Sequence, residues 1–238
     1  MNKHTLPALL ALLLAVILGV SACGGNGEGA EPTGNAPAQA GEMETGMGGA
    51  SSAADVRSPA ADLRATLDTL LGEHATLAMT ATQKGFAGDE DFEAIAAALD
   101  ENSVELSQAI GSVYGDEAAK EFLDGNNMWR DHIGFFVDYT VALAQKDKAA
   151  QQQAVDNLTV YIETSSSFLA TATELPQAAL RESITEHVMQ LKGQIDAYAA
   201  GDYEKAYSLF RQAYDHMVMT GDTLAEAIVK QNPEMFSS

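Results

Sequence analysis

The sequence predicts an all-α domain of six helices, arranged as three antiparallel helix-turn-helix repeats in one bundle. Three observations carry this. From Leu63 onward every long segment places apolar residues at i, i+3 and i+4, the period of a helix with one buried face. Strand signals are missing over the same stretch, with no alternating Val/Ile/Thr run and no Asn-Gly turn. The chain also repeats itself. Glu73-His74, Asp131-His132 and Glu186-His187 each pair an acid with a histidine, and an aspartate follows each histidine by 15 positions, at Asp89, Asp147 and Asp202. One spacing used three times implies one structural unit used three times.

Residues 1–22 read as an export signal. Lys3 and His4 give a short positive start, Leu6 to Val20 is apolar apart from Pro7 and Gly19, and small residues follow at Ser21 and Ala22. The apolar run is too short for a retained membrane span. Val20-Ser21-Ala22-Cys23 resembles the lipobox of bacterial lipoproteins, and Cys23 is the single cysteine of the chain. That resemblance implies cleavage before Cys23, a diacylglycerol on its thiol, and a lipid-anchored, extracytoplasmic protein of the cell membrane. Which membrane, outer or cytoplasmic, stays open. With Cys23 so used, the rest of the chain has no thiol for a disulfide, a nucleophile or a metal. Residues 23–58 then form the lipidated cysteine and a tether rich in Gly, Ala and Glu, without hydrophobic period, reaching ~30–35 Å.

Residues 59–238 are long enough for one buried core. The net charge of −21 becomes one unit more negative when the signal and its Lys3 are removed. Such acidity argues against nucleic acid and anionic lipid surfaces as partners.

The three hairpins span roughly 61–114, 116–174 and 177–231, divided at Gly115-Asp116 and Leu175-Pro176. Their first helices carry the stripes Leu63, Leu67, Leu70, His74, Leu77; Met128, His132, Phe135, Tyr139; and Leu180, Ile184, His187, Leu191, Ile195. Gly88-Asp89 and Gly201-Asp202 read as a glycine that ends one helix and an aspartate that caps the next. Lys146-Asp147 is the same turn without its glycine.

Counting from the turns gives the heights. Ser103, Tyr161 and His216 lie 14 positions after the three aspartates. At 1.5 Å per residue each sits ~22 Å from its turn, level with His74, His132 and His187 respectively. If the hairpins pack side by side, four histidines, Tyr161 and Ser103 form one polar layer in an apolar bundle. A buried imidazole needs partners at both nitrogens. The preceding carboxylates point about 100° away on their own helix, so their reach is to a neighbouring hairpin's histidine.

Histidines on facing helices suit a transition metal. The metal reading takes His74, His132, His187 and His216 as ligands, with Tyr161 as an additional one. Copper is favoured over zinc because Met79, Met128, Met189, Met217 and Met219 lie near the histidines, although methionine usually fills cores. Two other readings stay open: a structural layer or protein-interaction module without ligand, and a metal- or haem-dependent redox enzyme. No catalytic residue is assigned. The chain has no H-E-x-x-H, no E-x-x-H pair for two irons, no G-x-S-x-G, no P-loop and no calcium loop. Trp129, Phe135, Phe136 and Tyr139 read as core. Tyr198, Tyr203, Tyr207 and Tyr214 border the last hairpin, as core or as a groove.

Residues 63–236 also resemble a group of helical lipoproteins and surface proteins of spore-forming bacteria. The resemblance rests on Leu71-Gly-Glu-His74, Ala109-Ile-Gly-Ser-Val-Tyr-Gly115, His132-Ile-Gly-Phe-Phe-Val-Asp138, Ala200-Gly-Asp-Tyr203 and Ala227-Ile-Val-Lys-Gln-Asn-Pro233. Some members are named after the copper amine oxidase N-terminal domain. What it implies is an exported all-helical domain. It implies no oxidase, because the Asn-Tyr-Asp/Glu motif from which those enzymes make their cofactor is missing.

Overall fold

The structure is a computed structural model that describes residues 57–237. The expectations for the export signal, Cys23 and most of the tether fall outside this range. All the regular structure described is helical: α1 (Pro59–Ala87), α2 (Phe92–Tyr114), α3 (Asp116–Asp124), α4 (Trp129–Gln145), α5 (Lys148–Thr173), α6 (Gln177–Ala199), α7 (Tyr203–Gln231) and the single turn α8 (Pro233–Phe236). No helix among the described residues is long and apolar enough to cross a membrane.

Local chemistry sets the boundaries. Ser58 opens α1 by accepting the Ala61 N–H at 3.2 Å, with Pro59 in the first turn, where a missing N–H costs nothing. Gly88 closes it in the left-handed region at φ 72°. Asp147 caps α5 by accepting the Ala149 and Ala150 N–H groups at 3.0 Å, and Asp202 caps α7 through Lys205 at 3.2 Å. The first turn departs from the expected pattern. Asp89 gives its backbone carbonyl to Phe92, and Asp91 is the residue that precedes α2. Lys146 stands where the other turns use glycine and takes the left-handed conformation itself, at φ 59°.

The expected count of six helices is exceeded. Residues 116–174 hold three helices, because Gly125, Asn126 and Asn127 break the segment and Asn127 adopts φ 57°. Asp131 accepts the Asn127 N–H at 2.7 Å and holds that corner. The separated α3 buries Phe122 against Trp129 and stays with the core.

Helix α1 is the centre of the bundle, packed against α2, α4, α6 and α7. Contacts near the turns fix directions. Phe86 meets Tyr198, and the Tyr139 hydroxyl donates to Asp196 at 2.7 Å. Those residues lie a similar distance beyond His74, His132 and His187, so α1, α4 and α6 run parallel. Helix α7 returns antiparallel along α1, very closely at Gly221, where an added Cβ would come within 3.0 Å of the Asp68 backbone. One core cluster joins Leu71, Ala75, Met79, Leu106, Leu158 and Leu191, and a second joins Leu67, Ala225 and Ile228 with Phe236 of α8.

Candidate metal centre

Three parallel helices that meet side by side bring equal heights together. His74 of α1, His132 of α4 and His187 of α6 converge on one point, exposed by only 0%, 1% and 5%. Each offers a ring nitrogen within 4.8 Å of the others. Ring centroids are 5.5 Å apart for His74–His132, 5.7 Å for His74–His187 and 6.3 Å for His132–His187. Nitrogens on one metal ion stand at most about 4.1 Å apart, twice a 2.0–2.1 Å bond. Shifts of well under an ångström by each ring would close that gap.

Aromatic walls surround the triad. Trp129 packs on His74 at 4.6 Å and edge-on to His132 at 4.9 Å. Its indole N–H donates to the Ser103 hydroxyl at 3.1 Å, and that hydroxyl donates to the Leu99 carbonyl at 2.8 Å. Tyr161 stacks on His132, with centroids 4.4 Å apart and planes 13° from parallel. The expected level of Ser103 and Tyr161 is therefore observed, with Tyr161 against its counted partner and Ser103 tied to the layer through Trp129.

The polar accounting is unusual. Both nitrogens of His74, both of His187 and Nδ1 of His132 are buried without a hydrogen-bond partner. Burial pushes all three histidines down: His74 well below its ordinary value, His132 to about 3 and His187 to about 4. Neighbouring imidazoles add a smaller push in the same direction. The rings are neutral at pH 7, the form that ligates metals.

His216 does not join them. Its Nε2 meets the Ser183 carbonyl at 3.0 Å and the Ser183 hydroxyl at 3.3 Å, and its Nδ1 faces Glu186 at 3.7 Å. The reason is the packing order. Helix α7 lies against α1 and α6, outside the axis shared by α1, α4 and α6. His216 still lies close enough to His187 to oppose its protonation. Of the four histidines expected in one layer, three converge and His216 stands apart. Tyr161 presents a ring face, and burial raises its phenol pKa, which opposes the phenolate that a metal would take.

The acidic neighbours serve elsewhere. Glu73 accepts from the Asn102 amide at 3.1 Å, Asp131 holds Asn127, and Glu186 accepts from Gln190 at 2.9 Å as well as facing His216. None of these bonds reaches a triad nitrogen. The methionine clue also weakens: Met189 and Met219 are 59% and 66% exposed, and the buried Met128 sulfur accepts from Ser165 at 3.8 Å. Tyr203, Tyr207 and Tyr214 are exposed rather than core.

Sequence reasoning missed Trp129 as a wall of the site. Its place three positions before His132 was the available signal, since i and i+3 share a helix face. It also missed Gln190 and Gln194 on α6. Both are buried, and Gln194 has no partner at either amide atom. The chain finds no match among family models, curated proteins or solved structures.

Proposed function

We propose that this protein is a lipid-anchored, extracytoplasmic helical module that holds one transition-metal ion, copper(I), between His74, His132 and His187. The observation that carries the reading is the set of five unpartnered nitrogens on three converging rings. Each unsatisfied buried nitrogen costs free energy, and one shared ion, taking one nitrogen from each ring, would relieve up to three of the five. Charge favours the monovalent ion. The donors are neutral, and no carboxylate lies among them to offset the ion's charge. The cost of burying an ion rises with the square of its charge, so Cu(I) incurs roughly a quarter of the penalty of a divalent ion. Structural zinc, moreover, generally takes four ligands, one more than the triad supplies. The lipid anchor rests on Val20-Ser21-Ala22-Cys23, and the three-hairpin reading on the repeated turn spacing.

The test is a titration of the purified protein with Cu(I) against a chromogenic chelator, and separately with Zn(II). One Cu(I) per chain is expected. His74→Ala, His132→Ala and His187→Ala should each lower affinity by tenfold or more, while His216→Ala should leave it within about threefold. Tight Zn(II) with no Cu(I) would overturn the choice of ion. No uptake of either, or uptake unchanged in His187→Ala, would leave the triad as a structural polar layer.

A further inference from the structure

Beside the triad the bundle holds a partly open apolar pocket of about 90 Å³. It lies between α2, α5, α6 and α7, and its wall is almost wholly apolar: Leu106, Ile110, Phe168, Met217 and Leu224 supply much of it. Folded interiors hold few voids larger than a single water, and an unfilled one lowers stability in proportion to its volume. A pocket of this size, set into a close-packed core and open on one side, leaves room for an occupant that can enter from solvent.

The chemistry of the wall says which kind. A buried water needs two to four polar partners. The polar groups at the α6–α7 side are already committed to one another: the Ser183 hydroxyl to His216 at 3.3 Å and Thr220 at 3.4 Å, and His216 to the Ser183 carbonyl at 3.0 Å. On α5, the Ser165 hydroxyl is spent on the Met128 sulfur. His187 also borders the cavity, yet both its nitrogens are covered, so it contributes ring carbon. Water gains little from these committed groups, and none of the lining side chains is a carboxylate.

We infer that this cavity is a binding site for a small, uncharged, apolar molecule of about the size of a benzene ring or less. Apolar cavities of comparable scale stay dry and take up benzene or xenon. The inference does not depend on the metal: its walls and volume are those of the protein alone. The two sites do share walls, because Trp129, Tyr161 and His187 each face both the triad and the cavity.

Trp129 is the one tryptophan of the chain and lines the cavity, so it reports on occupancy. The experiment titrates metal-free protein with benzene, following Trp129 fluorescence, and with xenon, following methyl resonances. Benzene should give a saturable change that charged benzoate does not give. Xenon should shift the methyls of Leu106, Ile110 and Leu224 while leaving Leu143 and Ile195, near the turns, unmoved. Ala172→Phe and Ile110→Phe, which fill the cavity, should each weaken benzene at least tenfold. A response linear up to the solubility limit, xenon shifts spread evenly over both ends of the bundle, or unweakened binding in folded filled variants would overturn the inference. Because no metal is present, a failure here is separate from a failure to bind copper.

Discussion

At the scale of single residues, the three buried histidines make stability depend on pH in a definite direction. In the unfolded chain a histidine titrates near 6.5. In the fold, burial holds His132 at about 3, His187 at about 4 and His74 well below its ordinary value. Between these limits the unfolded state carries protons that the folded state refuses, so stability rises with pH. It is fully present above about 6.5 and is lost as pH falls toward 4, with a slope of up to about 1.4 kcal/mol per unit for each histidine. Urea melts of the metal-free protein at pH 7.5, 6.5, 5.5 and 4.5 should show midpoints dropping steeply below 6.5. A midpoint unchanged down to pH 5 would mean that the rings are solvated. The identity of these residues was legible in the sequence, because a recurring acid-histidine pair at a fixed distance from a turn is a positional statement. The partners of the acids were not. Glu73 and Asp131 bond to Asn102 and Asn127, and neither pairing has a periodic signature.

At the scale of elements, the three turns look alike in sequence and differ in mechanism. The Asp147 side chain accepts two backbone N–H groups at the start of α5, whereas the Asp89 side chain makes a 3.7 Å surface ion pair with Lys84 and caps no N–H. Asp147→Ala should cost about 1 kcal/mol, as a lost N-cap does, and Asp89→Ala should stay within about 0.5 kcal/mol. Paired chemical melts measure the contrast, and equal losses would refute it. Lys146, at φ 59°, bears a backbone strain that glycine relieves. Lys146→Gly should therefore raise the melting temperature, corresponding to about 0.5–1 kcal/mol, and an unchanged or lowered value would contradict this. The six long helices were readable because their apolar stripes run for many turns. Helix α3 was not, since nine residues give too little periodicity to separate it from its neighbours, and the break at Gly125-Asn126-Asn127 had to be recognised as chain-turning chemistry. The heights of the histidines could be counted, but which helix lies against which could not. That is why His216, at the counted height on α7, faces Ser183 and not the triad.

At the scale of the whole molecule, the bundle tolerates two expensive features in one place. The apolar pocket of about 90 Å³ forgoes packing contacts along its wall, and the unpartnered triad adds its own desolvation cost. Both lie where α1, α4, α5 and α6 come together, while the far end of α4, α5 and α6 is conventionally packed by Tyr139, Ala154 and Ile195. The proposed lipid anchor belongs to the same scale. If Cys23 carries lipid, Cys23→Ala should move the protein from the membrane fraction to the soluble extracytoplasmic fraction, with the helical content of the domain unchanged. Continued sedimentation with membranes after that substitution would rule out a thioether-linked anchor.

The parallel course of α1, α4 and α6 has a consequence for when the site comes into being. Each histidine is separated from the next along the chain by at least one intervening helix, and no helix contains two of the three. A nascent or incompletely folded chain therefore presents isolated imidazoles, each a weak ligand by itself. The three rings meet only once α6 has docked on α1 and α4, so under the proposed copper reading an ion held there would certify that the molecule has finished folding.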